Sequence, residues 1–282
     1  MRKIVIPSDF SENAFNALKF AVELFKHDRC EFYILHAYAD EVYNKEGVLT
    51  QEFLDEFKET TKQNSDKELE KICERITQDF HNPRHRFHTI SAFGLLIDEV
   101  NDLAERENAD IIVTSTRGKS NDRKLTFGSN TLQIIKYVQC PVLSIPESFE
   151  FSELKKILFP TNYIMPYQKR ELKLVGELAR SFATQVHMLY VSKFPIDSFR
   201  QKDNQQAIQE QFYDVKMEYH QVADKEKTEA ILETIEELKI DLLILVNSRH
   251  SYLENVLYKS TLDKIGLHPK IPFLVLQNFH RT

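Results

Sequence analysis

Short apolar runs alternate along the chain with longer amphipathic stretches. Residues 4–6, 32–35, 111–113 and 142–145 are apolar runs of strand length, and 87–92 alternates more weakly as a further strand. Between them, Ala14, Ala17, Leu18, Ala21, Val22 and Leu24 recur at helical spacing behind Ser11, a residue type suited to an N-cap. Residues 53–80 form a longer, charged helical region and 97–104 another helix. Continuous apolar strands separated by helices predict a parallel sheet covered on both faces, in the order β-α-β-α-β-α-β-α-β.

The pattern then starts again. Lys3-Ile4-Val5-Ile6-Pro7-Ser8-Asp9 recurs as Lys156-Ile157-Leu158-Phe159-Pro160-Thr161-Asn162. Ala109-Asp110-Ile111-Ile112-Val113 is echoed by Ile240-Asp241-Leu242-Leu243-Ile244, and Cys140-Pro141-Val142-Leu143 by Ile271-Pro272-Phe273-Leu274. Charge and proline interrupt the apolar pattern at residues 146–153. The second half predicts helices at 171–182 and 228–238 and strands at 185–191, 215–220 and 242–246. The fold class is therefore α/β: two tandem open five-stranded parallel sheets with helices on both faces, Rossmann-like, in domains 1–147 and 153–279.

Length agrees with two domains, since 282 residues exceed the usual single-domain size. With 42% hydrophobic and 28% charged residues, each half carries enough apolar material for its own core. The net charge of −6, with basic residues scattered, argues against nucleic acid as a partner. No apolar run approaches the roughly 18 residues of a membrane span, and the N-terminus enters strand-like sequence directly, so a cytoplasmic protein without a membrane partner is expected. Cys30, Cys73 and Cys140 are odd in number and far apart, which predicts reduced, mostly buried thiols.

In an open parallel sheet, ligands bind at the carboxyl ends of strands where the strand order reverses. Two segments should meet there. One is Pro7-Ser8-Asp9-Phe10-Ser11, which puts a carboxylate just beyond the first strand. The other runs from Ser115 through Arg117, Gly118 and Lys119 to Gly128, Ser129 and Asn130 at the start of the last helix, with nine residues between the glycines. Glycine admits close backbone approach to an anion, and a helix N-terminus offers unpaired N–H groups and a positive dipole end. Ser129 can add a hydroxyl donor, and Arg117 or Lys119 a charge. By themselves these residues equally suit a turn at Gly118 and a helix cap at Ser129.

Taken together, the strand ending in Asp9, the strand ending at His36-Ala37 and the glycine-spaced loop resemble the universal stress protein family, twice over nearly the whole chain. ATP-binding members of that family carry glycine, two residues, glycine, nine residues, then glycine and serine or threonine. Here the series reads Ser115, two residues, Gly118, nine residues, Gly128 and Ser129, with serine in the place of the first glycine. The resemblance implies that Pro7, Ser8 and Asp9 lie by the adenosine and that Ala37 meets the base. It places Gly118, Lys119, Gly128, Ser129 and Asn130 around the phosphates of ATP, with or without Mg2+, or of a related adenine nucleotide. The implied function is a stress-response regulator; the alternative is an interaction module or small-ligand binder of the same fold that uses no nucleotide.

The second half keeps less of the pattern. Asn162 replaces the carboxylate, and Asn247-Ser248-Arg249-His250-Ser251 followed by Tyr258-Lys259-Ser260-Thr261 lacks both glycines. No ATP is expected there. The resemblance implies instead a built-in pairing partner for the first domain, and strand edges at 142–145 and 273–276 would allow a homodimer as well.

No catalytic residue is assigned. The chain has no Walker A lysine motif, no nucleophile elbow and no carboxylate pair at fixed spacing, so slow ATP hydrolysis is the most this family resemblance implies. No metal site is expected either. Among His81, His85 and His88, Pro83 prevents a helix from aligning the first two, and positions 85 and 88 of a strand point to opposite faces. They read as solvated loop histidines. A receiver-like reading would require an aspartate after the third strand, where Ser91-Ala92-Phe93 stands.

Overall fold

The computed structural model describes residues 1–44, 50–117, 129–223, 225–247 and 270–278. The described residues through Phe151 form one compact unit and those from Ser152 another.

The first unit contains β1 (Arg2–Pro7), α1 (Glu12–Leu24), β2 (Cys30–Ala37), α2 (Ala39–Tyr43), α3 (Gln51–Asp79), β3 (His85–Ala92), α4 (Leu96–Arg106), β4 (Ile111–Ser115), α5 (Ser129–Tyr137) and β5 (Val142–Ile145). Its strands are parallel in the order β3-β2-β1-β4-β5. A receiver-like sheet would place its third strand beside its first; here β4 lies there, which makes the boundary between β1 and β4 the point of reversal. Ile4, Val5 and Ile6 of β1 and Ile111, Ile112 and Val113 of β4 are essentially inaccessible, because helices cover both faces of these central strands. Burying a ring such as that of Phe32 contributes about 1.5–3 kcal/mol. The edge strand β3 is half exposed, which explains its weaker sequence pattern.

Ser11 caps α1 as expected, its Oγ accepting from Ala14 N at 3.2 Å. Cys30 and Cys140 are buried and Cys73 half-buried, all as free thiols. One expectation needs correction. His85 is not a solvated loop residue: β3 begins there, two residues earlier than predicted, and the ring is buried edge-on against Phe32 with centroids 5.0 Å apart. Its Nε2 lies 3.2 Å from the Phe25 carbonyl. His88 projects from the other face and stacks on Tyr33 at 4.9 Å.

The second unit contains β6 (Lys156–Pro160), α6 (Lys169–Ser181), β7 (Gln185–Val191), α7 (Phe199–Gln211), β8 (Met217–Val222), α8 (Lys227–Leu238), β9 (Leu242–Asn247) and β10 (Phe273–Gln277). The parallel order is β10-β9-β6-β7-β8, the same winding as in the first unit. The sequence pattern did not predict α2 or α7. The former is a single turn and a half, and the latter buries only Ile208, so neither has the apolar stripe that makes a helix visible.

Candidate functional site

The geometry of the first site begins at the end of β1. Ser8 N donates to the Leu35 carbonyl at 2.8 Å, extending the pairing with β2 one residue past the strand. The chain then turns sharply, and Phe10 takes a left-handed conformation with φ 64°. Two side chains hold this turn. Ser8 Oγ accepts from Phe10 N at 3.2 Å, and Asp9 Oδ1 accepts from Ser11 N at 3.1 Å and from Ser11 Oγ at 2.6 Å. Asp9 thus braces the turn that starts α1, an arrangement common for aspartate at such positions.

β4 ends beside it. Thr116 N pairs with the Ile145 carbonyl at 2.8 Å, and Ser115 Oγ donates to the Arg117 carbonyl at 2.7 Å. Among the described non-glycine residues, Phe10, Asn108, Ser148, Tyr163, Ala183 and Lys239 have positive φ; Ser115 does not. The serine that replaces the family's first glycine is therefore accommodated without left-handed strain. Thr131, in the first turn of α5, donates from its buried Oγ1 to the Ser115 carbonyl at 2.9 Å, which ties the helix N-terminus to the end of β4.

Between these segments lies a cavity of about 450 Å³. Pro7, Ser8, Asp9, Ala37, Ser115, Ser129 and Asn130 all line it, so seven of the residues singled out in the sequence are brought together. Arg117 is not among the lining residues; its Nη1 sits 3.5 Å from Glu147 Oε2. Gly118, Lys119 and Gly128 lie outside the described residues.

The lining of the cavity is chemically mixed. Ala14, Ala37, Leu96 and Ile134 supply apolar surface, while Asp9, Asp40 and Glu41 place three carboxylates near the ends of β1 and β2. Ser129 and Asn130 open α5, and a helix N-terminus, with N–H groups that lack intrahelical partners and a positive dipole end, favours an anion. Sequence reasoning missed His36, Asp40, Glu41 and Thr131. The first is held on both ring nitrogens, by Ser65 Oγ at 2.8 Å and Glu41 Oε1 at 3.1 Å, and its ring lies 4.2 Å from that of Phe10. Asp40 and Glu41 sit on α2, whose shortness concealed them.

The corresponding turn of the second unit keeps the same backbone bonds with different side chains. Asn162 Oδ1 accepts from Ile164 N at 3.0 Å, Thr161 Oγ1 accepts from Tyr163 N at 3.0 Å, and Tyr163 has φ 56°. These bonds repeat those of Asp9, Ser8 and Phe10. Tyr163 is buried against Tyr190, and Tyr167 hydrogen-bonds Thr161 while packing edge-on to Phe159. Residues 248–261, where the loop after β9 lacks glycine, lie outside the described residues. Among the described residues, no helix is long and apolar enough to cross a membrane.

Comparisons with known proteins agree with this architecture. The model of the universal stress protein family matches residues 1–146 and again 153–277. Two universal stress proteins of Methanocaldococcus jannaschii are 28% identical over 144 residues and 29% identical over 153 residues. Each alignment covers 51% of this chain, and 81% and 94% of the respective relative. The crystal structure of a universal stress protein from Archaeoglobus fulgidus DSM 4304 superposes with a TM-score of 0.67 at 18% identity, over 98% of this chain and 96% of that one, a likeness of fold.

Proposed function

The chain belongs to the universal stress protein family, in tandem form, and from that membership we propose that its first unit is a sensor that binds ATP or a related adenine nucleotide. The observation that carries this reading is the cavity at the carboxyl ends of β1, β2 and β4, lined by a helix N-terminus and by carboxylates. An adenosine fits the apolar surface around Ala37 and Ile134, where Asp9 can accept from ribose hydroxyls. The phosphates then fall toward Ser129 and Asn130, where N–H groups meet them. Gly118, Lys119 and Gly128 complete the phosphate loop in this reading, with Mg2+ screening the nucleotide's charge from the carboxylates.

No base positioned to activate water is assigned, so the role is binding rather than efficient hydrolysis. Occupancy of the cavity would favour one conformation of the first unit over others, which is how binding becomes a signal. In the second unit, Asn162 stands where the first has the Asp9 carboxylate and the matching loop sequence lacks both glycines, which supports a role without nucleotide, as partner to the first domain.

Calorimetric titration of the full chain with Mg2+ and ATP, ADP or AMP tests the proposal. Saturable binding at one site per chain is expected, abolished in Ser129→Glu. That variant adds a carboxylate where a helix N-terminus tolerates it well, so the fold survives while the phosphates are repelled. The three carboxylates lining the cavity favour a second reading, a small neutral or cationic ligand. Absence of binding to all three nucleotides would leave that reading standing.

A further inference from the structure

We propose that the second unit carries a divalent transition-metal site of the zinc type, built from His187, Glu218 and His220. It lies away from the carboxyl-end turn of β6 and does not depend on nucleotide binding. β7 and β8 run parallel with His187 opposite Glu218 and Leu189 opposite His220. Alternation along β8 puts Glu218 and His220 on one face, and the register puts His187 on the same face of β7. Two imidazoles and a carboxylate are thereby gathered by backbone geometry alone.

The separations suit one ion. His187 Nδ1 lies 2.9 Å from His220 Nε2 and 3.3 Å from Glu218 Oε2, and His220 Nε2 lies 3.9 Å from that oxygen. In a tetrahedral zinc site with Zn–N and Zn–O bonds of about 2.0–2.2 Å, neighbouring ligand atoms are about 3.3–3.5 Å apart. The observed distances bracket that value, so side-chain adjustment of a few tenths of an ångström receives the ion. The rings are already aligned, with centroids 5.2 Å apart at 26°.

Exposure fits as well. The His187 side chain is 2% exposed, His220 30% and Glu218 49%, so the site has a buried anchor and an open side for entry and for a fourth, water ligand. Two imidazoles with one carboxylate favour zinc-like ions over magnesium, which prefers oxygen ligands.

The first unit is a built-in comparison. Its corresponding strand pair sets Tyr33 opposite His88 and Leu35 opposite Ile90, so tyrosine and isoleucine replace two of the three donors. The signal was present in the sequence as Glu218-x-His220 on an edge strand, but His187 lies 31 residues away and only the strand register joins them.

The test is titration of the full, tag-free chain, without nucleotide, with Zn2+ and separately with Co2+, whose tetrahedral complexes absorb strongly in the visible. One Zn2+ per chain, visible cobalt bands displaced by Zn2+, and no competition by Mg2+ are expected. A Glu218→Gln/His220→Gln double variant, changed only at partly exposed positions, should lose the bands. It should also bind zinc more weakly by more than the roughly 10–100-fold that loss of an outer-shell partner costs. Absence of Zn2+ and Co2+ binding, or stoichiometry and spectrum unchanged in the double variant, would overturn the proposal and leave the cluster as a hydrogen-bonded histidine pair. Thiolate binding at a cysteine would survive the double variant and count against the site.

Discussion

Ser115 Oγ and the Arg117 carbonyl are joined by a 2.7 Å hydrogen bond that closes the first turn of the loop after β4. Because Ser115 does not need a positive φ, the hydroxyl acts as a brace and the missing glycine is not a defect. Ser115→Ala removes one hydrogen bond, worth about 0.5–1.5 kcal/mol. We expect nucleotide binding, measured by calorimetry, to weaken by about two- to tenfold. Ser115→Gly should fare no better than alanine, since it loosens the loop further.

Asp9 and Asn162 hold equivalent turns with the same Oδ1 acceptor. Asp9→Asn should therefore leave the urea midpoint nearly unchanged. If the carboxylate receives ribose or magnesium, binding falls by about 1.5–3 kcal/mol, the usual worth of a hydrogen bond to a charged group, or roughly 10- to 100-fold. Unchanged affinity in a stable Asp9→Asn would confine Asp9 to the turn.

His36 Nδ1, Ser65 Oγ and Ser91 Oγ form a chain with links of 2.8 and 2.6 Å that connects β2, α3 and β3, starting from His36 in the cavity lining. Ser65 is almost wholly buried. Ser65→Ala should destabilise the chain by about 1–3 kcal/mol, because partners are left in a dry site. Chemical denaturation measures this, and a loss below about 0.5 kcal/mol would show that water replaces the hydroxyl.

His85 is held below its ordinary pKa of 6.5 by burial, only partly offset by its contact with the Phe25 carbonyl. Below that pH the unfolded chain takes up the proton and the folded chain resists it, so stability is fully present above 6.5 and falls as acid approaches the folded-state pKa. Glu107 adds a second decline at lower pH. Its bonds to Lys3 and Tyr33 depress its pKa below 4.5, and their contribution is lost as pH falls through the folded value. Denaturation at about pH 7.5 and about pH 5 should show a drop for the native chain that is smaller in His85→Gln.

Much of the fold was readable in one dimension. Buried parallel strands are continuous apolar runs, and β2, β4, β5, β7 and β9 stood out for that reason. The repeat of Lys3 to Asp9 at Lys156 to Asn162 showed that the architecture occurs twice. The less visible elements were those without such a pattern: β3 and β8, half exposed at sheet edges, and α2 and α7, which lack an apolar stripe.

What the sequence determined by itself was the succession of strands and most helices, the family likeness and the identity of the residues at the ends of β1 and β4. Local chemistry sufficed, because strand period, helix caps and turn residues act between near neighbours. The tertiary structure alone decided what depends on packing between distant segments. It set the strand order that places β4 beside β1 and so forms the cavity, and it drew His36, Asp40 and Glu41 to its wall. It buried His85, and it brought His187 opposite Glu218 across a register that no spacing along the chain encodes.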